Sequence, residues 1–345
     1  MTPGLPGVVF LALLPRETPM SITAPFADLT LDDIWRAAER IAPYAHRTPV
    51  LRSHSIDAQI GAQLYFKCEN FQRIGAFKFR GACNAVFALS DVEAARGVAT
   101  HSSGNHAAAL ALAARLRGIA AHVVMPHNTI RVKIDSVRRL GATLIFCEAT
   151  QAARTQTLAE VIDATGAVEI HPFAHPQVIA GQGTAALELL REVGRLDALV
   201  APISGGGLLA GTAIAARGLC ADIDIVGAEP SGADDAARSF ASGVLQGNTH
   251  TDTISDGLRA DLGAPNFAIL RAAHTRILTV TDAQTLSALR LIYERLKIVV
   301  EPSCATALAA ITKHPTFFAG RRVGVILSGG NVDLDSLRWT EPSSL

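Results

Sequence analysis

Residues 97–126 read GVATHSSGNHAAALALAARLRGIAAHVVMP. The apolar run GVAT ends in a polar Gly/Ser turn, an alanine-rich segment with helical character follows and is closed by Gly118, and the apolar run AHVVM stops at Pro126. A strand, a helix and a second strand joined in this way form a crossover unit whose two strands run parallel. On its C-terminal side, IRVKIDSVRRLG predicts a helix ending at Gly141, TLIFC a strand, and residues 152–165 a further helix. The alternation then resumes with a helix over 177–193, strand ALVAPI, helix LLAGTAIAARGL, strand DIVGAE, helices over 282–296 and 302–313, and strand RVGVILS. On the N-terminal side, LTLDDIWRAAERI (29–41) has Thr30 as an N-cap, acidic residues in its first turn and an apolar stripe, which predict a helix. TPVLRS and QLYFKCE follow as short strands. Strands alternating with helices build open, mostly parallel sheets with helices on both faces, an α/β fold.

The chain has 345 residues, and at roughly 100–200 residues per domain that length implies two domains. Lys+Arg and Asp+Glu both number 31, so the formal net charge is zero and favours neither nucleic acid nor a membrane surface as partner. Apolar residues make up 49% and aromatic residues 5%, a mixture suited to helices packed on a buried parallel sheet. The cysteines Cys68, Cys83, Cys147, Cys220 and Cys304 are scattered singly, which predicts reduced thiols in a cytoplasmic protein. The apolar stretch LPGVVFLALL near the N-terminus is short and no basic residue precedes it, so it predicts neither a membrane span nor a signal peptide. Residues 1–27 are therefore read as an N-terminal tail.

The chemistry centres on FQRIGAFKFRGA (71–82), which sets one lysine, Lys78, among apolar and aromatic residues. A buried ammonium loses its proton readily and becomes a nucleophile toward carbonyls. The alternative is a lysine that snorkels to the surface while Phe77 and Phe79 pack. Three Gly/Ser turns, HSSGNH (101–106), SGGGL (204–208) and LSGGN (327–331), each follow a strand-like run. They fall at the carboxyl ends of strands, where open α/β sheets bind ligands. In SGGGL the glycines let the backbone approach an anion, and the helix opening at Leu208 offers free N–H groups, so a phosphate is expected there. A rival reading starts from the same residues. Gly205-x-Gly207-x-x-Ala210 matches the dinucleotide fingerprint, and Glu229 ends the next strand about 20 residues on, as in an NAD(P)-dependent dehydrogenase. That reading leaves Lys78, SSGNH and SGGN without a role. Asn105 can serve as an N-cap for the helix after HSSG, and Glu229 and Asp235 as an acidic cap for the helix after AEPSGADD. His171 and His175 have i,i+4 spacing, but Pro172 intervenes and no third ligand is near, so they read as a loop pair.

GAFKFRGACNAV, THSSGNHAAALALAARL, VIAGQGTAALELL, ISGGGLLAG, AEPSGADD and LSGGNVDL occur in this order. In this, from about Leu29 to about Leu337, the chain closely resembles the fold type II pyridoxal phosphate enzymes of the serine/threonine dehydratase and serine racemase group. The resemblance implies a two-domain α/β fold like that of the tryptophan synthase β chain. A small domain would span 97–172, a large cofactor-binding domain 28–96 and 173–345, with the site between them, and the assembly would be a homodimer. Lys78 would carry the cofactor covalently with Phe77 beside it, Asn105 would bond its phenolic oxygen, and Ser328 its pyridine nitrogen. Ser204, Gly205, Gly206, Gly207 and Leu208 would hold its phosphate. Ser102, Ser103, Gly104, Asn105 and His106 would meet the amino-acid substrate, with Ser103 facing Lys78 across the cofactor as a second catalytic residue. Glu229, the Ala233 carbonyl and Asp235 would hold Mg²⁺ or Ca²⁺, for which hard oxygen donors are suited.

The activity so implied is β-elimination of L-serine or L-threonine to a 2-oxo acid and ammonia, with serine racemase and 3-hydroxyaspartate ammonia-lyase as open alternatives. A neutral hydroxyl at Ser328 does not hold the ring nitrogen protonated, which favours elimination over chemistry needing a long-lived carbanion. Two positions depart from the pattern of relatives. Ala76 stands where many have a serine before Phe-Lys. Phe173 completes the His-Pro-Phe of dehydratase members, where the mammalian-type racemase has an asparagine.

Overall fold

The computed structural model describes residues 26, 28–129, 131–334 and 337, so the tail read over residues 1–27 lies, but for Phe26, outside the described residues. The helices are α1 (Leu31–Ile41), α2 (His54–Ile60), α3 (Lys78–Ala88), α4 (Asp91–Ala95), α5 (Asn105–Arg117), α6 (Arg131–Arg139), α7 (Gln151–Thr165), α8 (Pro176–Val193), α9 (Gly207–Leu219), α10 (Asp235–Ser242), α11 (Ala264–Ala272), α12 (Asp282–Leu296), α13 (Pro302–Lys313) and α14 (Pro315–Phe318). The strands are β1 (Val50–Leu51), β2 (Gln63–Cys68), β3 (Val98–His101), β4 (Ala121–Pro126), β5 (Thr143–Cys147), β6 (Val168–Glu169), β7 (Ala198–Pro202), β8 (Asp224–Pro230), β9 (Arg276–Val280) and β10 (Arg322–Leu327).

The strands form two sheets. A six-stranded sheet has the order β1-β2-β10-β7-β8-β9, parallel except for the antiparallel β1, and a four-stranded sheet has the order β5-β4-β3-β6, all parallel. The unit at 97–126 is β3, α5 and β4, and it supplies the two inner strands of the smaller sheet. β2, β7 and β10 are almost entirely buried, as strands covered on both faces must be.

Local signals set most boundaries. Thr30 caps α1 by a box in which its N–H donates to the Asp33 carboxylate at 2.9 Å, and the stripe Ile34, Ala37 and Ile41 is buried. Gly118 ends α5 in the left-handed conformation. β4 runs through Pro126, one residue past the expected stop, because the missing N–H falls at the last position of the strand. α9 opens at Gly207, one residue before the expected Leu208. The short helices α2 and α4, and the α11–β9 pair at the sheet edge, had no reading of their own in the sequence. The half-buried strand β9 lacks the long apolar run that marks its neighbours.

Helix α3 is held by a buried ionic cluster. Arg80, fully buried, pairs with Glu69 at 2.6 Å and Glu188 at 2.7 Å; Lys67, also fully buried, pairs with Glu188 at 2.6 Å, and Thr48 donates to Glu69 at 2.6 Å. Burial works against the Arg80 charge, but Glu69 and Glu188 override it and raise its proton affinity further. At the next residue α3 meets α8 backbone to backbone, where a Cβ at Gly181 would come within 2.6 Å of the Gly81 Cα. Among the described residues no helix is long and apolar enough to cross a membrane.

Candidate active site

Three strand-to-helix or strand-to-loop turns line one cavity of about 810 Å³: 101–106 at the end of β3, 204–208 after β7, and Ser328 and Asn331 after β10. Lys78 lines it too, as the first residue of α3. Ala76 pairs with Gly329 in an isolated bridge and the Phe77 N–H donates to the Ser328 carbonyl at 3.0 Å, so the lysine segment is stitched to the third turn.

The Lys78 Nζ donates to the Pro172 carbonyl at 2.9 Å and lies 5.3 Å from the centre of the Phe77 ring. Burial pulls its pKa down from 10.5 to about 8, with no carboxylate holding it up. It does not snorkel away to bulk water. It is an amine poised to give up its proton inside the cavity.

Asn105 is the first residue of α5 and Gly104 takes the cap position, so the side chain is free of the capping role. Its Nδ2 donates to the Glu301 carboxyl, 3.0 and 3.3 Å from the two oxygens, and its Oδ1 accepts from Asn331 at 2.9 Å, which fixes the amide at the cavity wall. Glu301, nearly fully buried, has its carboxyl pushed up to about 7, by burial first and by Asp256 second. Ser102, Ser103 and Gly104 line the same wall, where the Ser102 hydroxyl accepts from the Gly104 N–H at 3.3 Å. The His106 ring turns inward, with Nε2 3.1 Å from the Ile170 carbonyl, so its proton sits on Nε2 and burial keeps it neutral. What it offers the cavity is its backbone N–H at the start of α5.

In the second turn Gly206 has φ +86°, a left-handed cap that lets α9 begin at Gly207 with free N–H groups. The Phe173 ring and backbone pack so closely on Gly205 and Gly207 that neither has room for a side chain. The Ser204 hydroxyl, expected to help hold a phosphate, closes instead on the Ala260 backbone, donating at 2.8 Å and accepting at 3.0 Å. Leu208 and Ser328 are buried at the cavity wall.

Glu229 and Asp235 lie apart from these turns. The Glu229 carboxylate, with no exposure, accepts from the Ala236 and Ala237 N–H groups at 2.9 and 2.8 Å and so caps α10. That geometry removes it as a ribose acceptor and with it the dehydrogenase reading. Burial pushes its pKa up to about 8, and Asp235 adds to the shift. Asp235, itself raised by burial, accepts from Asn248 Nδ2 at 2.6 Å and from the Leu262 N–H at 2.7 Å. Among the described residues no group of three or more His, Cys, Asp or Glu side chains could hold a metal ion. The expected set, two carboxylates and the Ala233 carbonyl, is of a different kind. Two buried carboxylates, both raised by burial, with Glu229 raised further by Asp235 and Asp235 further by Asp261, suit a hard cation, which would relieve both. His171 and His175 turn their Nδ1 atoms to nearby backbone N–H groups, as a loop pair does.

Chain comparison agrees with this geometry. A family model described as "Pyridoxal-phosphate dependent enzyme" matches residues 41–329. The chain belongs to that family. A beta-hydroxyaspartate dehydratase of Paracoccus denitrificans is 49% identical over 310 residues, covering 90% of this chain and 98% of the relative. The structure of maize serine racemase matches with a TM-score of 0.87 at 47% identity, covering 89% of this chain and 94% of that one. The serine racemase structure from Dictyostelium discoideum matches with a TM-score of 0.86 at 46% identity, covering 89% and 100%. The fold is therefore that of the fold type II enzymes, and the cavity fits the family's cofactor. An amine, a ring-side amide and a glycine cradle at a helix N-terminus all face one space.

Sequence motifs missed Glu301, and they placed Asn331 in the LSGGN turn without its bond to Asn105; each lies more than 190 residues from the Asn105 it orients. They also missed two further residues that line the cavity, Lys133, which pairs with Asp256 at 2.5 Å, and Arg154 of α7. The usable signal for Arg154 was weak: an arginine near the start of a helix that follows an edge strand.

Proposed function

We propose that the protein is a pyridoxal-phosphate dependent ammonia-lyase that eliminates water from a 3-hydroxy amino acid bearing a second carboxylate, of the 3-hydroxyaspartate class. The observation that carries this reading is Arg154. Its half-buried guanidinium lines the cavity, has no acidic partner among the described residues, and leaves a buried Nε without an acceptor. A desolvated guanidinium without a counter-charge is costly, and a substrate carboxylate would supply one bidentately. L-Serine and L-threonine, the substrates expected from the sequence, carry no second carboxylate for it. The 49%-identical relative named a beta-hydroxyaspartate dehydratase supports the same class.

Bound pyridoxal phosphate supplies an electron sink that makes the α-proton of an amino acid acidic. The residues do the rest. Lys78 would hold the cofactor and then, as a free amine, take the α-proton at Nζ, its proton affinity lowered enough to act near neutral pH. The N–H groups opening α5 and the Ser102–Gly104 turn would bind the α-carboxylate, and those opening α9 the cofactor phosphate. Asn105 and Ser328 would bond the ring. Arg154 would hold the second carboxylate, fixing the β-carbon while its hydroxyl leaves as water. The resulting enamine hydrolyses to a four-carbon 2-oxo acid and ammonia. Glu229, Asp235 and the Ala233 carbonyl would bind Mg²⁺ or Ca²⁺.

Serine racemisation is the second reading, favoured by Ser103 in a cavity that also holds Lys78. A panel of 3-hydroxyaspartate stereoisomers, serine and threonine, read for 2-oxo acid, ammonia and D-amino acid, separates the two. Lys78→Ala should abolish every activity. Arg154→Met should raise KM for 3-hydroxyaspartate on the order of 10- to 100-fold, the worth of a charged hydrogen bond, and leave serine turnover unchanged. An equal loss on both substrates would refute the role of Arg154.

A further inference from the structure

We propose that Asn266 is a positioning residue that aims the SGGGL turn at the cofactor phosphate, an inference that rests on reading that turn as the phosphate site. Asn266, the third residue of α11, is completely buried. Its Nδ2 donates to the Gly205 carbonyl at 2.5 Å and to the Phe173 carbonyl at 3.1 Å. Its Oδ1 has no partner. The amide therefore leaves a buried acceptor unsatisfied to keep both donors on two carbonyls, and the reversed amide would press an oxygen against both.

The effect follows from peptide geometry. No peptide bond among the described residues is cis, so each carbonyl points opposite to the N–H of the same unit. With the Gly205 carbonyl drawn toward α11 by Asn266 and by the Gly263 N–H at 3.2 Å, the Gly206 N–H is turned away from α11, to the side of the cavity that Gly206 lines. It joins the free N–H groups of Gly207 and Leu208 at the start of α9, extending the anion nest by one donor. The left-handed Gly206 brings the turn so close to α11 that a Cβ there would lie 2.9 Å from the Asn266 Cβ.

The second carbonyl extends the role. Holding the Phe173 carbonyl turns the Ala174 N–H the other way, onto His171 Nδ1 at 2.9 Å, which fixes the His171 proton on Nε2. The adjoining Pro172 carbonyl is the acceptor of Lys78 Nζ. One side chain thus sets both the phosphate turn and the segment against which the lysine rests.

The test compares apo protein titrated with pyridoxal phosphate and with pyridoxal, which lacks the phosphate, by absorbance, alongside melting of the apo protein. Asn266→Ala should weaken pyridoxal phosphate binding about 10- to 100-fold, the scale of a lost charge-assisted hydrogen bond, with pyridoxal binding unchanged. Asn266→Ser, which can still donate to one carbonyl, should fall between and serves if the alanine variant does not fold. A variant that melts earlier but keeps the wild-type ratio of the two affinities overturns the proposal. Equal affinity of the wild-type protein for both ligands would instead sink the phosphate reading of SGGGL, and the proposal with it.

Discussion

Glu301 accepts a hydrogen bond from the Asn105 amide, 196 residues away in sequence, and its carboxyl is raised to about 7 by burial and then Asp256, against the pull of the Asn105 hydrogen bond and Lys133. The unfolded carboxyl ionises near 4.5, while the folded one keeps its proton until about 7. Between these values the folded state binds more protons, so this group's contribution lowers stability as pH rises from 4.5 to 7, by about 3 kcal/mol at most, and is constant above. Glu301→Gln should remove that slope. Urea midpoints at about pH 5 and pH 8, on either side of most of that range, should show the variant gaining on the wild-type protein at the higher pH; an equal difference at both would refute the assignment. Lys78 could be found from sequence because its apolar neighbours are adjacent in the chain. Glu301 and Arg154 could not, because a buried charge of either kind declares itself only through what the fold brings against it.

Helix α3 begins with the cavity-lining Lys78 and is anchored two residues later by Arg80, so stability and the placement of that amine share one element. Arg80→Met would leave Glu69 buried without its cation, and should cost about 3–5 kcal/mol in urea denaturation. Adding Glu69→Gln should recover part of that loss, since the stranded charge goes with it. A loss below about 1 kcal/mol for the single variant would mean that water reaches the cluster. At this scale the sequence was largely legible, because period, caps and glycine stops are local. Thr30, Gly118 and the Gly/Ser turns marked their elements to within a residue or two. The cluster around Arg80 was not legible, since Glu69 and Glu188 come from other elements and only the packed sheet and helices bring them to it.

Across the molecule, Asp235 is tied through Asn248 to the segment whose Thr249, His250 and Thr251 line the cavity. A cation at Glu229 and Asp235 would therefore stabilise more than its own loop. Mg²⁺ or Ca²⁺ at a hundredfold excess over its Kd should add about 3 kcal/mol to unfolding, read as a rise in Tm. Glu229→Gln with Asp235→Asn should erase that rise; an unchanged rise would leave Glu229 a helix cap alone. The order of the larger sheet carries a consequence of its own. β10, among the last elements of the chain, lies between β2 and β7. During synthesis β2 leaves the ribosome some 250 residues before its parallel partner. At typical elongation rates its inner edge stays unpaired for roughly 10–50 s. The nascent chain passes through that interval with a largely apolar strand open to other chains, and a ribosome that stalls before residue 322 releases a product with no middle to its sheet.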